Sequence, residues 1–128
     1  MIFMELLDFL LSGQCPDARV ARKTKDVEVK RLSTKDCKAV FTLQAMSYDE
    51  LIRLRSLPAE SAEIRQVLDG IKEPSLKDPR FLQKEKGILT QEDVVRALFT
   101  PGEITSLARE VTKLSGFDRD AVTEVKNA

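Results

Sequence analysis

Histidine is absent from this sequence, and with it go the usual general base near neutral pH and the commonest metal ligand. Cysteine is scarce. Cys15 and Cys37 lie far apart, form no CxxC pair, and have no third cysteine or histidine with which to close a zinc site. Two free thiols in a reducing cytoplasm are expected, although sequence alone leaves a disulfide between them open. There is no glycine-rich phosphate loop, no GxSxG elbow and no carboxylate pair in a catalytic context. The acidic pairs Asp49-Glu50 and Glu92-Asp93 fall where first helical turns are expected, and the helix macrodipole accounts for them there. No enzyme activity, cofactor or metal is therefore expected. An excess of one charge is also missing: Lys and Arg number 21, Asp and Glu 21, so no global field favours nucleic acid or an anionic membrane. A long apolar run is missing too. The most apolar window, Met1 to Leu11, lacks a basic leader and is interrupted by Glu5 and Asp8, which argues against a signal peptide or a membrane span.

What is present is a globular composition, 42% hydrophobic and 33% charged over 128 residues, enough to bury a core without staples. Residues 1–25 are expected to form an amphipathic amino-terminal helix plus a basic linker, and residues 26–128 a single α+β domain. In the first helix Phe3, Leu6, Leu7, Leu10 and Leu11 recur at helical spacing, with Glu5 and Asp8 on the other side. Two readings stand for this apolar face. It docks on the chain's own core, or it is exposed and binds a partner or a second copy. Arg19, Arg22, Lys23, Lys25, Lys30, Arg31, Lys35 and Lys38 make the following stretch locally basic. They lack interleaved aromatics for base stacking, so the stretch reads as a solvated, mobile connector.

Beyond the connector, residues 26–32 alternate apolar and charged at their start, and residues 39–45 are β-branched and aromatic-rich. These predict an antiparallel hairpin whose apolar face, Phe41, Leu43 and Ala45, packs on helices. The fold class is α+β and predominantly helical, the small hairpin lying on about five to six short helices. Ser47 and Glu50 form a capping box ahead of a helix whose buried side is marked by Tyr48, Leu51 and Ile52. After Pro58, Ile64, Val67, Leu68 and Ile71 form an amphipathic stripe with Gly70 near its exit. A short turn-like helix is expected between Pro74 and Pro79, then a helix over residues 80–86 stopped by Gly87. Thr90 caps a helix that buries Val94, Val95, Leu98 and Phe99. Thr100, Pro101 and Glu103 then open the longest one, through a cap, a first-turn proline and a reciprocal carboxylate. Its apolar side is Ile104, Leu107, Ala108, Val111 and Leu114, its stop is Gly116, and Asp118 caps a short terminal helix with Ala121, Val122 and Val125 inward. The tight corner between the last two long helices superficially suggests DNA recognition, but Glu103 in the first turn would repel phosphates.

Four ordered blocks carry a family resemblance. Val27 to Leu32 followed by Phe41 to Leu51 resemble the strand-then-helix opening of the XkdN-like phage tail assembly chaperones. Glu73-Pro74-Ser75-Leu76-Lys77-Asp78-Pro79 and Leu98-Phe99-Thr100-Pro101-Gly102-Glu103-Ile104, with Lys113 to Phe117, are similar to later blocks of that family. The resemblance implies a non-enzymatic protein of the bacterial host cytoplasm that binds the tape measure protein during tail morphogenesis and is absent from the finished virion. It also implies a longer, frameshifted product that recruits the tail tube protein. No nucleic acid or membrane partner is implied. The alternative is an adaptor or regulatory module that docks through its amino-terminal helix. Caps and turns account for Ser75, Pro79, Thr100, Pro101, Gly102 and Glu103 without direct partner contact.

Overall fold

A computed structural model of the chain describes residues 5–17 and 22–116; Phe3 and the expected terminal helix after Asp118 lie outside them. The described residues form an α+β fold dominated by helix. Strands β1 (Thr24–Glu28) and β2 (Val40–Gln44) form the expected antiparallel hairpin, with Val27 opposite Phe41 and Lys25 opposite Leu43. On its inner face Phe41, Leu43 and Ala45 are buried. The first strand is shorter than the alternation suggests. Val29 still bonds Ala39 across the ladder, but Lys30–Leu32 turn into a single 3-10 turn.

A third strand, β3 (Ile71–Glu73), was not expected from the sequence. It pairs antiparallel with β2, Leu43 opposite Ile71, and completes a sheet of order β1-β2-β3. Ile71 belongs to both periodicities. Its N–H bonds Val67 O as the helix ends, and its side chain is buried as the strand begins.

Five α-helices are described: α1 (Leu6–Leu11), α2 (Tyr48–Arg55), α3 (Ala59–Gly70), α4 (Gln91–Leu98) and α5 (Pro101–Leu114). The core joins α3, α4, α5 and the inner sheet face through Leu43, Val67, Leu68, Val94, Val95 and Val111. Phe41 meets Phe99 edge-on, ring centroids 5.5 Å apart at 68°, the arrangement that ring quadrupoles favour. On α2 the expected buried side holds only at Leu51, which is half-buried. Tyr48 and Ile52 are 72% and 43% exposed, while Leu54 is buried; the helix leans on α3 through a narrower side than its apolar spacing suggested.

The helix expected over residues 80–86 is instead two 3-10 turns, Pro79–Phe81 and Lys84–Lys86, the second bracketed by the isolated bridge between Gln83 and Ile88. Lys84, Glu85 and Lys86 give that stretch no apolar stripe to bury, and so short a helix cannot stand on propensity alone. Gly87 closes it at φ 75°, and Gly116 sits beyond α5 at φ 94°, left-handed conformations for which glycine is the natural residue.

The block of residues 73–79 folds for local reasons. Leu76 is 1% exposed and plugs the core, while Asp78 accepts the Arg80 N–H at 2.9 Å as the cap of the next turn. Lys77 reaches back to Asp69, a buried carboxylate at the end of α3. Its Nζ lies 2.8 Å from Oδ1, and Arg65 Nε donates to Oδ2 at 3.2 Å. The Lys77 contact is one of charge rather than a well-directed hydrogen bond, because Oδ1 has no geometrically sound donor.

Next to Asp69, Gly70 brings α3 against α5. A Cβ built there would overlap Val111 Cγ2 and lie 3.0 Å from Cγ1. Val111 is fully buried, so neither side can yield. Gly70→Ala should therefore lose about 1–3 kcal/mol despite the better helix propensity of alanine, read from urea unfolding. Adding Val111→Ala should make the double variant more stable than the sum of the two single losses; strict additivity would show that the contact is not the cause.

Candidate protein-binding site

Sequence analysis placed the candidate partner-binding residues on the amino-terminal helix, and the four of them that lie in α1 have their side chains in solvent. Leu6, Leu7, Leu10 and Leu11 are 70%, 64%, 53% and 77% exposed, and no residue of α1 is buried. The helix carries Asp8 in its first turn, lacks a side-chain cap at Glu5, and ends where the Ser12 hydroxyl donates to Phe9 O at 2.7 Å. Four large apolar side chains on one side of so short a helix are costly to leave wet unless something covers them.

The capping residues named from sequence are brought together in three reciprocal boxes. Ser47 Oγ accepts the Glu50 N–H while Glu50 Oε1 accepts the Ser47 N–H, at 3.2 and 2.9 Å. Thr90 exchanges the same pair of bonds with Asp93, which also accepts the Leu89 N–H. Those main-chain donors, Leu89 first and Thr90 next, hold the Asp93 carboxyl below its usual range. Thr100 and Glu103 close the third box at 3.3 and 2.9 Å, with Pro101 in the first turn.

The third box has a partner that sequence reasoning missed. Arg31, just past β1, lays its guanidinium on Glu103, Nε to both carboxylate oxygens at 3.1–3.2 Å and Nη2 to Oε1 at 2.9 Å, and also donates to Leu98 O. Arg31 first, then the Thr100 N–H, lowers the Glu103 pKa; the Arg31 pKa is raised in return. Two turns further along α5, Lys25 of β1 donates to Glu110 at 2.8 Å and lowers its pKa. Arg22 pairs with Glu50 at 3.2 Å. The basic stretch is thus not only a solvated connector: three of its cations fasten the hairpin to α2 and α5. Alternation of charge in the first strand was the one signal for this, since it puts Lys25 on the inner side with Val27.

Between β1 and α5 the two ion pairs flank a groove of about 560 Å³, lined on one side by Val27, Glu28 and Val29 and on the other by Ser106, Leu107 and Glu110. In the 73–79 block, the carboxyl of Asp78 is lowered to about 2 by the side chain and main chain of Arg80. Cys15 and Cys37 are free thiols. Among the described residues no cluster of three His, Cys, Asp or Glu could hold a metal ion.

A family model described as phage XkdN-like tail assembly chaperone protein matches residues 7–128. Among solved structures, the chain is similar to the crystal structure of the protein YqbN, a Northeast Structural Genomics Consortium target, at 20% identity and a TM-score of 0.61. The likeness covers 92% of this chain and 100% of that one and concerns the fold. No curated protein matches the chain.

The capping node yields two expectations. Thr100→Ala removes the cap and should cost about 1 kcal/mol of stability. Glu103→Gln keeps the box, because an amide oxygen can accept the same N–H, but loses the charge pair with Arg31. A carboxylate held below its ordinary value of 4.5 stabilises the fold above that value, and the contribution fades as pH falls through the lowered one. Urea midpoints should therefore place Glu103→Gln below the parent at neutral pH, with the gap closing below pH 4.5; a gap independent of pH would contradict the charge argument.

Proposed function

We propose that this chain, which belongs to the phage XkdN-like tail assembly chaperone family, binds the tape measure protein during tail morphogenesis and is left out of the mature virion. The family is one of assembly chaperones rather than enzymes, and it implies a partner among the tail proteins. Taking the tape measure as that partner rests on the physics of both sides. A tape measure is a long helical chain whose apolar stripes would aggregate before the tube polymerises around it. Transient cover is what such a client needs.

The observation that carries this reading is the α1 face. Leu6, Leu7, Leu10 and Leu11 offer an apolar stripe of the kind that lies into a partner's hydrophobic groove or against its helical stripe. Because these leucines contribute little to the core, client binding can be exchanged without unfolding the body. Among the described residues no helix is long and apolar enough to cross a membrane; the assembly role proposed here is one carried out in the host cytoplasm. A frameshifted longer product that recruits tube subunits fits the same pathway.

Co-expression with the tape measure protein tests the reading. The parent chain should co-purify with it and keep it soluble. Leu7→Asp with Leu11→Asp should abolish capture while leaving the melting midpoint unchanged, since both side chains are solvated. No complex when both proteins are soluble alone would refute the role. Capture that survives the double substitution while the solution mass falls would reassign the α1 face to self-association.

A further inference from the structure

We propose that the free edge of β1, with the groove between it and α5, takes an extended segment of a partner protein by strand addition, a segment with basic side chains at every second position and apolar ones between. This surface is separate from α1 and does not depend on the tape measure reading.

The edge is open. The ladder bonds from Ala45 N to Lys23 O and from Val29 N to Ala39 O, in the register that sets Lys25 opposite Leu43 and Val27 opposite Phe41, fix which main-chain groups face β2. In an antiparallel pair these alternate, so Lys23, Lys25, Val27 and Val29 turn theirs inward. The N–H and C=O groups of Thr24, Asp26 and Glu28 point away from the sheet, and all three residues are exposed. Unpaired edges are templates for another strand unless they are covered, bent or charged.

Charge decides which strand. Across the edge, side chains of paired residues share a face, and the outer face of β1 presents Asp26 and Glu28. Each accepts a hydroxyl hydrogen bond at 2.7 Å, from Thr42 and Ser33 respectively, and neither has a cationic partner among the described residues. A second copy of β1 is the wrong occupant. Every antiparallel register that pairs two or more of the outward residues sets Asp26 opposite Asp26, Lys25 opposite Lys25, or Asp26 opposite Glu28, and like charges directly opposite are destabilising. A strand with lysine or arginine opposite Asp26 and Glu28 reverses each of those penalties.

The inner side completes the match. The residue opposite Val27 would turn toward α5 and enter the groove of about 560 Å³ over Val27 and Leu107. There an apolar side chain is favoured. The Arg31–Glu103 and Lys25–Glu110 pairs flank the groove, so those four charges are already partnered when an incoming chain covers them. Main-chain bonds supply affinity, and the alternation supplies selectivity.

The test uses the full chain, labelled with nitrogen-15, and an acetylated, amidated heptapeptide that alternates Lys and Val. Titration should saturate, shift the amides of Thr24, Asp26 and Glu28, and slow their hydrogen exchange. A Glu-Val heptapeptide should not bind. The Lys-Val peptide N-methylated at its lysines keeps its charge but loses the donors that face β1, and should bind at least about tenfold more weakly. Asp26→Lys with Glu28→Lys should exchange the preference toward the Glu-Val peptide. Should that variant misfold, Asp26→Asn with Glu28→Gln, which keeps the hydroxyl bonds, should still lose most of the Lys-Val binding. Absence of saturable binding, equal binding of the N-methylated peptide, or indifference to both sets of substitutions would overturn the proposal.

Discussion

The near-contact of Gly70 with Val111 sets the position of nearly everything else. With a Cβ excluded there, α3 approaches α5 closely enough for Val67, Leu68 and Val111 to form one dry layer with Leu43 of the sheet. Interiors packed at crystalline density do not tolerate one added methyl at such a point. The residues on either side of Gly70 then extend the constraint in both directions. Asp69 is clamped by Arg65 and Lys77, which seats the following block so that Leu76 enters the core. Ile71 starts the third strand against β2. Three consecutive residues thus couple the helical layer, the sheet and the loop that leaves it.

A second constraint is electrostatic and lies at the surface. Arg31 and Lys25 bind the hairpin to α5 at Glu103 and Glu110, seven residues apart and so on one side of the helix. Exposed pairs of this kind contribute modestly to stability. Their geometry matters more, because they hold β1 at a fixed distance from α5 and leave a groove between them. The motif blocks that mark the family are turned inward to structure: a cap, a core plug, a charge clamp. The largest run of neighbouring apolar side chains in solvent lies instead on α1, outside those blocks, while Tyr48, Ile52 and Leu89 are exposed singly.

Much of this was legible in the sequence wherever the signal was local. Thr100, Pro101 and Glu103 announce a helix by chemistry contained within four residues, and Ser47 with Glu50 does the same. The hairpin face of Phe41, Leu43 and Ala45 follows from alternation over a few positions. What was not legible depends on distant partners. The third strand is three residues long and pairs with β2 across the whole of α2 and α3, while Ile71 fits the helical spacing equally well. Tyr48 and Ile52 match a helical stripe, yet which side of α2 meets α3 is decided by tertiary packing. Arg31 reads as one more cation in a basic run until the α4–α5 corner is folded beside it. Gly70 looks like a helix stop, and only the structure gives it a packing reason.

In the division of labour proposed for this chain, the family blocks build the body and exposed surface binds the client. Hydrogen exchange of the full chain, free and in complex with the tape measure protein, tests it directly. Binding should add protection at Leu6–Leu11 and leave residues 73–79 and 98–104 at their free-state rates. New protection confined to those two blocks, with the leucine face unchanged, would contradict the account.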